Sequence, residues 1–205
     1  NSVMNIIPWG GPTGRVLAFE PQRVVFQMLC ANLALNGLVQ VQATHAALGA
    51  APGELHVPPV DYTGAGNFGG IALAAEGGDP VPVTTLDALG LPALRLLKVD
   101  VEGMEAEVLQ GGRDTIARTR PLLYVENDRE EKSPALIRLV LGMGYRLFWH
   151  LPRMFNPQNW RGVAENGFGP IISINMVGVP AEQSVRTDMR EITDERSDWR
   201  ARPLG

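Results

Sequence analysis

The sequence predicts an α/β domain built on a mostly parallel, doubly wound sheet with a closing antiparallel hairpin. Three observations carry that prediction. Short apolar runs alternate with helical patterns along the chain. Three of these runs end in a carboxylate, Glu20, Asp100 and Glu126, at the strand ends beyond which open parallel sheets bind their ligands. The last two runs, residues 145–150 and 171–177, follow one another with no helical pattern between them, which reads as the hairpin.

The first run, residues 15–19 (RVLAF), stops at Glu20-Pro21, where proline denies a ladder its donor. Pro21 suits a first helical position; Phe26, Leu29, Cys30 and Leu33 then recur at helical spacing, and Asn36-Gly37 supplies a left-handed stop. Residues 39–44 alternate as a strand does. A Gly- and Pro-rich stretch follows, with a short strand at 54–57 and a loop at 61–70. Residues 94–99 (LRLLKV) form the next buried strand, and a helix over 103–109 follows until Gly111-Gly112 halts it. Residues 122–125 lead to Glu126, after which Ser133-Pro134 reads as an N-cap and first position of a helix with Leu136, Leu139, Val140 and Met143 on one face. The loop after the 145–150 strand carries Phe155, Trp160 and Phe168. From Ala181 the chain is mixed-charge and poor in branched aliphatics, so 1–180 reads as the domain and 181–205 as a charged tail, helical and solvated or without structure.

Composition narrows the partners. At 205 residues, one α/β domain can bury roughly 70% of its unfolded surface. The 18 basic and 22 acidic residues leave a net charge of −4, so no electrostatic footprint for nucleic acid or an anionic membrane is present, and a small-molecule partner is expected. The stretch from Val24 free of charge is interrupted by Gln27, Asn32, Asn36, Gly37 and Gln40 and does not read as a membrane span. No basic flank precedes an apolar run with a cleavage site, and the expected compartment is the cytoplasm. Cys30, the single cysteine, reads as a buried small hydrophobe, which excludes disulfides within the chain.

A strand-end carboxylate such as Glu20 can accept both hydroxyls of a ribose, in any nucleotide-binding sheet. No G-x-G-x-x-G stands between a strand and a helix, so nothing favours a nicotinamide cofactor. Methyl transfer from a sulfonium asks the protein for alignment and a base near the acceptor hydroxyl. Asp100 and Glu102 could also be an N-cap and a first-turn dipole carboxylate, while Glu105 and Glu107 read as solvent-facing beside the inward Met104 and Val108. His150, at a strand end, is either structural or a base near neutrality; His45 and His56 have no such placement.

The segment 96–112, LLKVDVEGMEAEVLQGG, resembles the signature of FkbM-type methyltransferases. GRVLAFEPQ with ANLALNGL (residues 14–38), AALG (46–49) and PLLYVEND (121–128) resemble its flanking features, and the likeness runs from about Gly14 to Pro180. The resemblance implies a class I, Rossmann-like methyltransferase that uses S-adenosylmethionine to methylate a hydroxyl of a small molecule, a sugar or secondary metabolite. It implies that Glu20 holds the cofactor ribose, with Pro21, Ala46 and Ala47 near the adenine, and that Asp100 and Glu102 face the reacting methyl group. It further places Asn67, Phe68 and Glu126 toward the acceptor, with His150 as a further candidate base and no metal.

In that family a first strand and its glycine loop precede the position of Asn1, and residues 1–7 read as the rest of the following helix. Such an arrangement leaves the strands at Arg15 and Leu94 with open edges, which invite self-association into a homo-oligomer or a local rearrangement. Two other readings stand beside the enzyme: a non-catalytic relative that keeps only the fold, and a metal-dependent hydrolase using Asp100, Glu102, Glu126 and His150, although the paired histidines and D-x-D spacing common in such sites are absent.

Overall fold

The computed structural model describes residues 4–6, 14–64, 68–159 and 161–201. These divide into two compact units, residues 1–125 and 126–205.

In the first unit, the apolar run after Gly14 forms β2 (Val16–Phe19), which pairs in parallel with β3 (Val41–Thr44), Phe19 opposite Thr44. The helix between them, α1 (Arg23–Leu35), starts two residues after Pro21, with Gln22 at its N-cap. Pro21 is thus outside the helix, since the chain is still extended at Gln22 (φ −79°, ψ 114°). Cys30 is only half-buried, and α1 buries none of its residues. The signature run forms β7 (Leu96–Val99), which pairs in parallel with β8 (Leu122–Glu126), Val99 opposite Val125. Leu97, Val99, Leu123 and Val125 are fully buried; each strand sends alternate residues into the core.

Residues 1–7, expected as the rest of a helix, instead include a strand, β1 (Met4–Ile6), which runs antiparallel to both β2 and β7. The order within this unit is β8-β7-β1-β2-β3. The place between β2 and β7 is therefore taken by the chain's own segment, and two parallel pairs flank an antiparallel centre. Three residues of β2 that would otherwise lie on an open edge are paired this way, in the register Met4–Phe19, Asn5–Ala18 and Ile6–Leu17.

Between β3 and β7 lies a second, three-stranded sheet absent from the sequence reading except for its outer strand. β4 (Ala47–Leu48), β5 (Gly53–Val57) and β6 (Asp79–Thr84) are ordered β4-β6-β5. After β7 the helix α2 (Glu105–Gln110) begins later than expected, and Gly111-Gly112 leads directly into a further helix, α3 (Arg113–Thr119). Asp87 supports its first turn by accepting from the backbone N–H of Asp114 (3.2 Å) and Thr115 (2.7 Å).

In the second unit α4 (Ser133–Gly142) packs on β9 (Tyr145–His150). Its buried residues are Leu136, Ile137 and Val140. Ser133 is already helical, and its hydroxyl accepts from Asn127 Nδ2 (2.9 Å) instead of capping. β9 pairs antiparallel with β10 (Asn175–Pro180), His150 opposite Asn175, which is the expected closing hairpin with its second strand shifted a few residues onward. Among the described residues after Pro180, 181–201, there is no helix, and the segment is docked rather than free. β11 (Glu191–Ile192) adds to the other edge of β9, burying Ile192 to 1% exposure, and Arg146 forks onto Glu191 (2.8 and 3.1 Å). A single branched aliphatic in the right register suffices to dock it.

Candidate active site

The first unit gathers three of the sequence's features around the C-terminal ends of β2, β3 and β7. Glu20 follows β2 and is completely buried. Its backbone N–H donates to the Thr44 carbonyl (3.1 Å), and its Oε1 accepts from the Gln22 N–H (2.8 Å). Among the described residues, Oε2 has no hydrogen-bond partner. Burial raises the carboxyl from its ordinary 4.5 to about 7. A fully buried carboxylate with one oxygen unsatisfied costs free energy unless something donates to it.

Beside Glu20 runs an apolar cleft. Pro21 and Phe19 form one side, Ala46, Ala47 and Leu48 another, with Ile71, Leu73, Val101 and Met104 closing it. Its cavity of about 20 Å³ is room for about one water. Backbone contacts fix the strand ends here: His45 Nε2 shares a hydrogen bond with the Pro21 carbonyl (2.9 Å) and the ring stacks on Phe26 (5.3 Å). His45, given no role by the sequence, thus ties β3 to the start of α1.

Gln22 was also missed. It is 1% exposed; its Nε2 donates to the Phe68 carbonyl (2.7 Å) and its Oε1 accepts from the Tyr62 hydroxyl (3.0 Å). The Tyr62 and Phe68 rings lie 5.2 Å apart. One buried amide thereby holds both Tyr62 and Phe68 against the residues that follow β2. A glutamine directly after E-P, in a helix start that offers no capping bond, is the signal that could have revealed it. Of the loop residues proposed to meet an acceptor, Phe68 is half-buried beside the buried Gly69, and Asn67 lies outside the described residues.

The turn after β7 brings Asp100 and Glu102 together, with carboxylate oxygens within 4.8 Å of each other. Neither is a helix cap: α2 begins only at Glu105, with Met104 at its N-cap and no side-chain capping bond. Asp100 is ion-paired with Lys98 Nζ at 2.6 Å, both partly buried. Lys98 is two residues upstream, hence on the same face of the strand. Glu102 has a left-handed backbone (φ 55°) and is followed by Gly103 at φ 94°. Non-glycine residues in that region store strain that the surroundings must hold. Glu105 supplies the hold. Expected to face solvent, it is 5% exposed, and its Oε1 accepts from the backbone N–H of Val101 (3.3 Å) and Gly103 (3.0 Å). Three consecutive features of the D-V-E-G-M-E run are therefore built by one another: Lys98 positions Asp100, the left-handed turn presents Glu102, and Glu105 fixes the turn.

Glu126 and His150 belong to the second unit. Glu126 ends β8 half-buried, and His150 ends β9, half-buried opposite Asn175. Among the described residues no helix is long and apolar enough to cross a membrane.

The fold resembles a crystal structure of methyltransferase FkbM from Methylobacillus flagellatus KT, with a TM-score of 0.53 at 18% identity over 80% of this chain. That likeness is one of fold, and this chain spans 36% of the length of that protein. No curated protein sequence matches the chain. The family model described as methyltransferase FkbM domain matches residues 1–147, a span that contains the Glu20 cleft and the whole D-V-E-G turn; the chain belongs to the FkbM methyltransferase domain family.

Proposed function

We propose that this domain transfers a methyl group from S-adenosylmethionine to a hydroxyl of a small molecule. The observation that carries the reading is Glu20: a buried strand-end carboxylate whose Oε2 is unsatisfied, beside an apolar cleft of Pro21, Ala46 and Ala47. Two vicinal hydroxyls would satisfy such a carboxylate, and a flat apolar-faced base suits the adjoining cleft. The cleft is tight at about 20 Å³, so seating a base requires its lining, Ile71 and Leu73 included, to move apart.

S-adenosylmethionine supplies an electrophilic methyl on a positively charged sulfur. The chain's own task is to orient the acceptor hydroxyl and take its proton. We assign proton acceptance to Glu102, which the left-handed turn places beside Asp100; the Lys98 ammonium lies 2.6 Å from Asp100. Asp100, held by that ion pair, orients. Phe68, on the loop that Gln22 anchors, stands on the acceptor side, while Glu126 and His150 are candidates from the second unit to be tested separately.

Calorimetry with S-adenosylhomocysteine on the chain tests the reading. Saturable binding is expected, with Glu20→Ala weaker by tens of times, as about 2 kcal/mol of charge-assisted hydrogen bonding is lost. Equal affinity in the two proteins would remove Glu20 from the ribose.

A further inference from the structure

The second unit holds a cavity that the methyl-transfer reading does not use. It measures about 190 Å³ and opens between the start of α4, the end of β9 and the segment 195–200. An apolar cavity of about 150 Å³ is enough for benzene, so a six-membered ring fits.

Its chemistry is specific. Trp149 lines the cavity at 4% exposure, and among the described residues its Nε1–H has no acceptor. A buried indole donor without a partner is rare and marks a place where an oxygen is wanted. Trp199 adds a second indole to the lining, held by the Arg200 guanidinium 4.4 Å above its ring. Each carboxylate of the lining has a guanidinium partner. Glu130 and Asp198 both meet Arg200, and Glu195 meets Arg138 at 3.4 Å. Counting Arg138 with the lining's Arg196 and Arg200, three guanidiniums face three carboxylates. No net charge remains to attract an ion. What remains is an indole N–H needing an acceptor, carboxylate oxygens able to accept more donors, the Ser133 hydroxyl, and two apolar ring faces. A hydroxyl group both accepts and donates, so several of them on a saturated ring match this set.

We propose that this cavity is a binding site for a small, neutral, hydroxylated ring of the monosaccharide or cyclitol class. The site is built entirely from residues 127–200 and requires no methyl donor, so it stands or falls apart from the Glu20 cleft. Arg190 keeps the covering segment in place, donating to the carbonyls of Asp198 (2.6 Å) and Ala201.

The test is a titration of the ¹⁵N-labelled chain, following the indole N–H resonances of its four tryptophans. The probes are methyl β-D-glucopyranoside and myo-inositol, with sodium acetate as the ionic comparison. A saturable shift of the Trp149 and Trp199 signals is expected with at least one polyol, half-complete in the millimolar range that a ligand of this size reaches. Trp149→Phe removes the donor and keeps the ring, and weakens binding about tenfold. Should that variant lose its dispersed spectrum, Trp199→Ala carries the test, and must weaken polyol binding about tenfold while the other resonances stay in place. No saturable shift with either polyol overturns the proposal. So does saturation by acetate alone, which would make the cavity an anion site, and so does unchanged affinity in Trp199→Ala.

Discussion

Glu20 makes the pH dependence of stability a sharp test of the cleft. Its carboxyl titrates at about 7 in the folded chain against an ordinary 4.5, because burial disfavours the charged form. The sign follows from linkage: a raised folded value means the folded state holds its proton more tightly than the unfolded one. Below pH 4.5 both states are protonated and the group costs nothing; as pH rises through 7 the unfolded chain has already ionised and folding must bury a charge. The difference of about 2.5 units, at about 1.4 kcal/mol per unit, is a loss of about 3 kcal/mol. Glu20→Gln cannot ionise and escapes it. Urea unfolding of both proteins at about pH 4 and about pH 8.5, without ligand, should therefore show the variant gaining about 3 kcal/mol on the wild type over that range. S-adenosylhomocysteine should restore part of the difference at the higher pH, as its hydroxyls donate to the charged carboxylate. If the two proteins keep the same difference at both pH values, the carboxylate is already satisfied and the open Oε2 is not a binding feature.

Three further outcomes follow from the same geometry. Glu102→Gln should lower turnover by about 10²-fold or more with cofactor affinity nearly unchanged, and Asp100→Asn should do less; equal losses of melting temperature and activity would reduce both to structural roles. Gln22→Ala removes the side chain that bonds both Tyr62 and Phe68, so hydrogen exchange in residues 62–70 should quicken while β7 and β8 keep their protection; uniform change across the unit would refute the clamp. Gly111→Ala would place a Cβ 2.0 Å from the Gly49 carbonyl oxygen and should destabilise the chain by about 3 kcal/mol in denaturant unfolding, whereas the same change at Gly142, helical and with open space, should be neutral or stabilise by up to about 1 kcal/mol.

That glycine explains why part of the fold was illegible. Gly111-Gly112 reads locally as a helix stop, and the sequence reading ended there; the structure shows a close approach of Gly111 to Gly49, followed by a second helix. A requirement set by a residue sixty positions away leaves no local trace. β6 was missed for a related reason. Its Pro80 and Pro82 argue against a strand, yet being two apart they withhold donors from one edge only, and that edge is paired with β4 only from Val83 onward. By contrast β9 was read at its true limits, because Tyr145, Leu147, Phe148 and Trp149 are all buried and a strand with core on its flanks declares itself as a continuous apolar run.

The site was legible to the extent that its residues act alone. Glu20 and Asp100 could be picked out because a carboxylate closing an apolar strand is conspicuous by itself. Glu105 could not, since helical periodicity assigned it by its neighbours Met104 and Val108, and periodicity counts turns of a helix that had not yet begun. In the structure Glu105 is the first residue of α2, and its side chain turns back to bond Val101 and Gly103, so its burial comes from the preceding turn. Lys98 escaped notice in the same way: a cation inside an apolar strand looks like an imperfection until Asp100, two residues on, is seen at 2.6 Å. Both hold the two half-buried carboxylates in place, one as a charge partner for Asp100 and the other as a lock on the turn at the left-handed Glu102. The D-V-E-G-M-E run is therefore better understood as one self-supporting turn, in which the first two carboxylates lie half-buried beside one another and the third is buried and holds the turn.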